Sequence, residues 1–193
     1  MHVAGVGSSG ASSASGYSFS HRAVKTMPIA EGGRMNVRID VLDERMADCV
    51  AGWLHSRADV MLFGGARLPF PLTGRDLLAT SDDGWVVLAM KVDDMLVASG
   101  SYKLLASGRV RIGRIIVAPA CRGRGLGRAT VVGLMETATR AVDASVVELG
   151  VYQHNTNAIN LYESLGFCQT RVGATTTIDG KPFTGIEMEY RVA

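Results

Sequence analysis

No sign of charge dominates this sequence: 20 Lys and Arg stand against 18 Asp and Glu, a net charge of +2. Such a balance provides no global field to hold a nucleic acid or an anionic membrane surface, so neither is expected as a partner and any anion site must be local. Cysteine is scarce as well. Cys49, Cys121 and Cys168 are odd in number, lie far apart and show neither C-x-x-C nor Cys/His ligand spacing. That excludes a disulfide framework and a zinc site, and leaves a reducing, cytoplasmic setting without a metal as the expectation. No window reaches the roughly 18 consecutive apolar residues of a membrane-spanning helix.

Residues 1–33 lack periodicity of either kind. They are rich in Ser, Gly and Ala and read as a flexible tail that joins no core. A secretory signal would need a basic start and an apolar stretch of about 7 to 15 residues, and neither is there. The absence of acid before Glu31, beside Arg22 and Lys25, keeps a transit peptide open as the alternative. Residues 34–193 have the length of one domain.

That domain is well patterned. MNVRIDVL alternates as a half-buried strand from Met35, and DERMADCVAGWL follows at helical spacing with acids in its first turn. The next stretch, His55 to Gly84, is broken by Gly-Gly and two prolines and reads as irregular, with one short helix capped by Thr73. WVVLAMKV and MLVASGSYKLLA form a hairpin about Asp93-Asp94, and RVRIGRIIVAP adds a third antiparallel strand. GRATVVGLMETATRAV is a helix, VVELGVYQ a strand, and NTNAINLYESLGF a helix ending at Gly166. Two last strands, about Gln169–Ile178 and Gly185–Val192, flank the turn residues Asp179 to Pro182. The class is therefore α/β (α+β), with a mixed sheet. A parallel pair, joined by a crossover helix, forms between the strand ending at Val117 and the one starting near Ser145.

One stretch of this pattern is chemically loaded. VAPACRGRGLGRA, Val117 to Ala129, places three arginines and three alternating glycines where a strand ends and a helix starts. Successive backbone N–H groups there face one point, the helix adds about half a positive charge, and side chains at Gly123, Gly125 and Gly127 would obstruct the approach. A pyrophosphate is the natural occupant. The loop lacks the G-K-[ST] ending of a Walker loop, and Arg128 stands where a dinucleotide fingerprint needs its third glycine.

V-x-P-x-x-R-G-x-G-x-G at Val117–Gly127 and N-x-x-A-x-x-L-Y-x-x-x-G-F at Asn155–Phe167 together resemble the GNAT superfamily of acetyl-CoA-dependent N-acetyltransferases. The resemblance implies a mostly antiparallel sheet of about seven strands, splayed at its parallel pair and flanked by about four helices. It also implies acetyl-CoA as co-substrate. The amides of Arg122, Gly123, Arg124, Gly125, Leu126 and Gly127 would hold the coenzyme pyrophosphate, and backbone groups of Ile115, Ile116 and Val117 would pair with the pantetheine arm. Asn155 would contact the cofactor and Tyr162 would lie near the thioester sulfur. The acceptor is then the primary amine of a small molecule or a peptide, attacked without an acyl-enzyme. A homodimer is left open, since no segment specifies an interface.

Transfer to an amine requires a neutral nucleophile, an oxyanion donor and a proton for the departing thiolate. Tyr162, with a phenol pKa near 10, would supply that proton, and an amide of Ile116 or Val117 would serve the oxyanion. The general base departs from the family pattern: Arg111 and Gly150 occupy the two places where members carry a glutamate. Glu148, Tyr152 and His154 share a strand face with Gly150 and are the candidates, Glu148 and His154 foremost. An acceptor of low amine pKa would need no base. Plainer readings stand beside these: Tyr162 as a core tyrosine, His154 as a loop residue, and Trp53, Phe63 and Phe70 as core or loop anchors before pocket walls. Arg124 and Arg128 meet either phosphates or solvent, and Cys121 is not needed by the mechanism. The competing functions are a non-catalytic acyl-CoA-binding regulatory module and a phosphate or nucleic-acid binder using the arginine loop.

Overall fold

The structure, a computed structural model, describes residues 23–28, 34–106 and 108–192. In chain order its elements are β1 (Ala23–Pro28), β2 (Arg34–Val41), α1 (Glu44–Ala51), α2 (Arg57–Gly64), α3 (Gly74–Ala79), β3 (Trp85–Val92), β4 (Met95–Ala106) and β5 (Arg109–Val117). Then follow α4 (Leu126–Val142), β6 (Val146–Tyr152), α5 (Thr156–Ser164), β7 (Cys168–Ile178) and β8 (Lys181–Arg191). The eight strands form one sheet in the order β1-β2-β3-β4-β5-β6-β8-β7. Every neighbouring pair is antiparallel except β5 and β6. This is the mixed sheet expected, with seven strands from Arg34 onward.

Turn chemistry sets the hairpins. Asp93 and Asp94 both hold positive φ, 48° and 64°, as do Asp179 and Gly180 at 49° and 75°. That is the backbone of two-residue turns whose twist matches the strands they join. β8 therefore starts at Lys181, four residues before the expected Gly185. Two expectations are corrected. The tail assigned to residues 1–33 is not uniform, because Ala23–Pro28 pairs with β2 from Ala23–Ile39 to Pro28–Arg34. β-branched and apolar residues in AVKTMP satisfy an edge, which the Ser/Gly bias of the whole segment concealed. Residues 1–22 and 29–33 lie outside the described residues. The stretch after His55 also contains a real helix, α2. Ser56 Oγ accepts from Asp59 N at 3.0 Å and donates to Asp59 Oδ2 at 2.7 Å, and Gly65 ends the helix at φ +79°. The capping of α3 by Thr73 is as expected, in a reciprocal box with Asp76.

Helices cover both faces of the sheet. Along β3, Leu88 and Met90 join a core with α4 and α5, whereas Val87 and Ala89 join a second core with α1 to α3. β5 switches between these faces. Val110 and Ile112 belong to the α4 core, yet Ile116, also even-numbered, belongs to the other. The cause is a β-bulge: Ser101 pairs with Gly113 and Ser99 with Ile116, and Arg114 takes φ +51° to absorb the extra residue. One inserted residue inverts the alternation. β5 and β6 keep parallel register only from Arg109–Val146 to Arg111–Glu148. Beyond Arg111 their backbones diverge, so the C-terminal half of β5 has no ladder partner on that side.

Candidate active site

The divergence opens a cleft of ≈ 450 Å³. Ile115, Ile116 and Val117 of β5 form one side, Arg122 and Gly127 the loop end, and Asn155, Leu161 and Tyr162 of α5 the other. Trp53, Asp59, Leu62 and Phe63 close it from α1 to α2. Residues of β5, the glycine loop and α5, brought together in the sequence analysis by the family resemblance, thus line one space. The N-terminus of α4 abuts it. Its N-cap is Gly125 at φ +77°, and no side chain caps the helix, so the first amides have no intrahelical partner and face outward with the positive end of the dipole. Gly123 is also left-handed, φ +76°, although a Cβ there would meet nothing within 4 Å. At Gly127 a Cβ would stand 3.7 Å from Leu161 Cδ2. The glycines at 123 and 125 therefore serve backbone conformation first, rather than clearance alone.

Not every expected cofactor residue turns the same way. Leu126 buries its side chain in the α4 core, leaving its amide for the loop, and Arg124 is exposed. Arg122 folds back, Nε donating to the Val117 carbonyl at 3.3 Å, so that carbonyl already has a donor. Arg128 Nη1 donates to Ser164 Oγ at 2.9 Å and ties α4 to α5. Cys121 lines neither cleft.

Asn155 caps α5, its Oδ1 accepting from Ala158 N at 3.4 Å. About two helical turns further on, Tyr162 is buried against Phe167, ring centroids 5.9 Å apart, and reaches the cleft wall. Burial pushes its phenol pKa up to about 12, correcting the ordinary value near 10 expected from the sequence. The phenol therefore stays protonated at neutral pH, which excludes it as a base there.

A second cleft of ≈ 480 Å³ shares Leu62 and Phe63 with the first. Its walls are Gly64 and Gly65 at the end of α2, Trp85, Arg111 and Arg114, Tyr152, and the β7–β8 hairpin with Arg171 and Glu187. Among the base candidates, only Tyr152 lines it. Tyr152 Oη donates to Met61 Sδ at 3.6 Å, and burial raises its pKa. Glu148 lines neither cleft: Arg109 binds it in an ion pair and also binds Glu189 at 2.6 Å. His154 lies past the end of β6, exposed, stacked on Tyr152 and edge-on to Phe183 at 4.8 Å. Gly150 leaves room for a guanidinium, since a Cβ there would sit 2.5 Å from Arg111 Nη2. Arg111 in turn pairs with Glu187 at 2.8 Å.

Arg114, Arg171, Trp85 and Glu187 were not singled out from the sequence. The one signal was Arg114 itself, which stands out of phase with Arg109 and Arg111 in RVRIGRIIV.

Residues 41–167 match the acetyltransferase (GNAT) family. Solved structures agree in fold. A spermidine N-acetyltransferase from Vibrio cholerae, in complex with CoA and spermine, superposes with TM-score 0.67 at 16% identity over 80% of this chain and 95% of that one. The structure of yncA from Salmonella typhimurium with its cofactor acetyl-CoA gives 0.61 at 21% identity, covering 81% and 94%. A ribosomal-protein-alanine N-acetyltransferase from Brucella melitensis gives 0.63 at 18%, covering 80% and 99%. The family match spans well over half of the chain, so this protein belongs to the GNAT acetyltransferase family and is an acyltransferase.

Proposed function

We propose that the chain transfers the acetyl group of acetyl-CoA directly to a primary amine. The observation that carries this is the convergence of Ile115 to Val117, Arg122, Gly127, Asn155 and Tyr162 on one cleft. The donor set fits a coenzyme: uncapped amides at the start of α4 for a pyrophosphate, and unpaired β5 backbone for an amide-bearing arm. Bound there, acetyl-CoA supplies a thioester carbonyl and a thiolate leaving group.

The chain's own groups do the rest. The amides of Arg122 to Gly127 bind negative charge, Asn155 holds the start of α5 in place, and an amide of Ile116 or Val117 donates to the carbonyl oxygen. Tyr162 keeps a proton on Oη and passes it to the departing sulfur. The second cleft, open to solvent beside Leu62 and Phe63, receives the amine. No carboxylate in it is free to act as base, since Glu187 is paired with Arg111. Water, or an acceptor already neutral, takes that role.

The test is thermal unfolding with acetyl-CoA, CoA and ATP at matched concentration. At a hundred times the dissociation constant a ligand adds about 2.7 kcal/mol, a rise of roughly 5 to 10 °C for this size. A rise with acetyl-CoA and CoA but not ATP is expected, and its absence would overturn the reading of the loop. A binding module without catalysis would give the same rise, and thiol release separates the two.

A further inference from the structure

The second cleft has a charge pattern that acetyl transfer alone does not require. Arg111 and Arg114 of β5 and Arg171 of β7 line it, and against these three cations stands one carboxylate, Glu187 of β8. Glu187 is already committed, 2.8 Å from Arg111 Nη1 and 4.0 Å from Arg171 Nη2. Arg114 is the exception. Its guanidinium lies 4.3 Å over the Trp85 ring, and its Nη1 is buried with no hydrogen-bond partner among the described residues. Native structures seldom leave a buried charged donor unmet. Its backbone, at φ +51°, is also held in a region that non-glycine residues occupy under strain. Burial lowers its pKa, Asp83 opposing, yet a guanidinium stays charged in proteins. A cation with an unmet buried donor on a strained bulge, lining the cleft that abuts the transfer site, is what an anion subsite consists of.

We propose that the acceptor is a small amine carrying an acid group, of the amino-acid type, and that Arg114 anchors that group with Arg111 and Arg171 beside it. The inference rests on the acetyl-transfer reading above. A guanidinium offers a planar fork to a carboxylate or a phosphonate. Leu62, Phe63 and Trp85 give the acceptor's side chain an apolar wall. The same cations explain how the reaction proceeds with the one carboxylate on this cleft's described lining already paired. Positive charge nearby disfavours the ammonium form, so the acceptor's amine is deprotonated more readily in the cleft than in water. Glu187 offsets one of the three, and Tyr152 is the remaining titratable group on the lining. A polyamine meets like charge here and is rejected.

The experiment is steady-state kinetics with acceptors matched in carbon skeleton: phenylalanine against phenethylamine, leucine against isoamylamine, with the corresponding 1-aminophosphonates and spermidine alongside. The acids are expected to be better substrates by about tenfold or more in kcat/KM, the scale of one charge-assisted hydrogen bond. The phosphonates tell which acid geometry is preferred. Arg114→Met and Arg171→Gln are each expected to pull the acid-to-amine ratio toward one, chiefly through KM. Arg171 is 72% exposed, so its variant remains informative if Arg114→Met does not fold. The amines lacking the acid group, or spermidine, preferred by the native protein, or a ratio unchanged in both variants, would overturn the proposal. Calorimetric titration of phenylalanine and phenethylamine into the CoA-loaded protein reads the subsite without turnover. Binding of the acid alone, with no thiol release from acetyl-CoA, would sink the transfer reading and uphold the subsite. Thiol release with phenethylamine and not phenylalanine would do the reverse.

Discussion

The guanidinium of Arg111 occupies the space above Gly150. A Cβ at 150 would stand 2.5 Å from Arg111 Nη2 and 3.7 Å from Glu187 Oε1, so the two positions without a glutamate are one feature: an arginine from β5 laid over a glycine of β6. Gly150→Ala pushes against the far end of a flexible side chain. Its stability cost is expected to stay within about 1 kcal/mol, while the acceptor KM rises because Arg111 leaves Glu187. Urea unfolding and kinetics on the same variant check both.

Tyr162→Phe removes the proposed proton donor without opening a cavity. kcat is expected to fall by roughly 10²- to 10⁴-fold, with the acetyl-CoA-induced rise in Tm retained. A change in KM alone would instead mark Tyr162 as a packing residue.

The pH profile follows from the same group. An acid works protonated, and the Tyr162 pKa is pushed up to about 12. kcat/KM is therefore expected to climb as the acceptor amine deprotonates, with no falling limb from Tyr162 at or below about pH 10, the ordinary phenol value. The folded pKa lies above the unfolded one, so the tyrosine's contribution to stability is complete below pH 10 and lost as pH rises through about 12. A falling limb centred below pH 10 in the native protein and absent in Tyr162→Phe would contradict this.

Gly125→Ala forces a side chain into φ +77° at the N-cap of α4. A left-handed non-glycine residue costs about 1–2 kcal/mol, a loss of roughly 2–8 °C in Tm. The rise conferred by acetyl-CoA should shrink as well, because the same backbone presents the first amides of the helix.

Phe167 is 2% exposed and sits between Tyr162 and Tyr190, with centroids 5.9 and 5.6 Å away. Phe167→Ala is expected to cost about 3–5 kcal/mol and to lower kcat, since Tyr162 loses the ring that seats it. Phe167→Leu should keep most of both, as read by urea unfolding and thiol release.

Local chemistry was legible in the sequence, and contacts between distant residues were not. The Asp93-Asp94 turn, the Thr73 cap and the glycine loop each depend on neighbours within a few residues, and each stands where its pattern placed it. Ser56 and Asp59 cap α2 through the same kind of local contact, in a stretch read as irregular because of Gly64-Gly65 and the prolines beyond. The bulge at Arg114 depends on pairing with β4, and the phase break between Arg111 and Arg114 is the only trace of it within β5. Glu148 shows the limit for the site: alternation gave its strand face, whereas its tie to Arg109 spans 39 residues and it lines neither cleft. Arg171 and Glu187 reach the second cleft only because β7 and β8 fold as the outer hairpin of the sheet.

Direct transfer with Tyr162 as proton donor is tested most directly by following thiol release from acetyl-CoA with pooled primary amines, native protein beside Tyr162→Phe, and weighing the products by mass spectrometry. The prediction is one N-acetylated amine per thiol, no acetyl group left on the chain, and near-complete loss in the variant while acetyl-CoA still stabilises both proteins. Stabilisation without thiol release above the amine-free control, or a variant that transfers at the native rate, would contradict it.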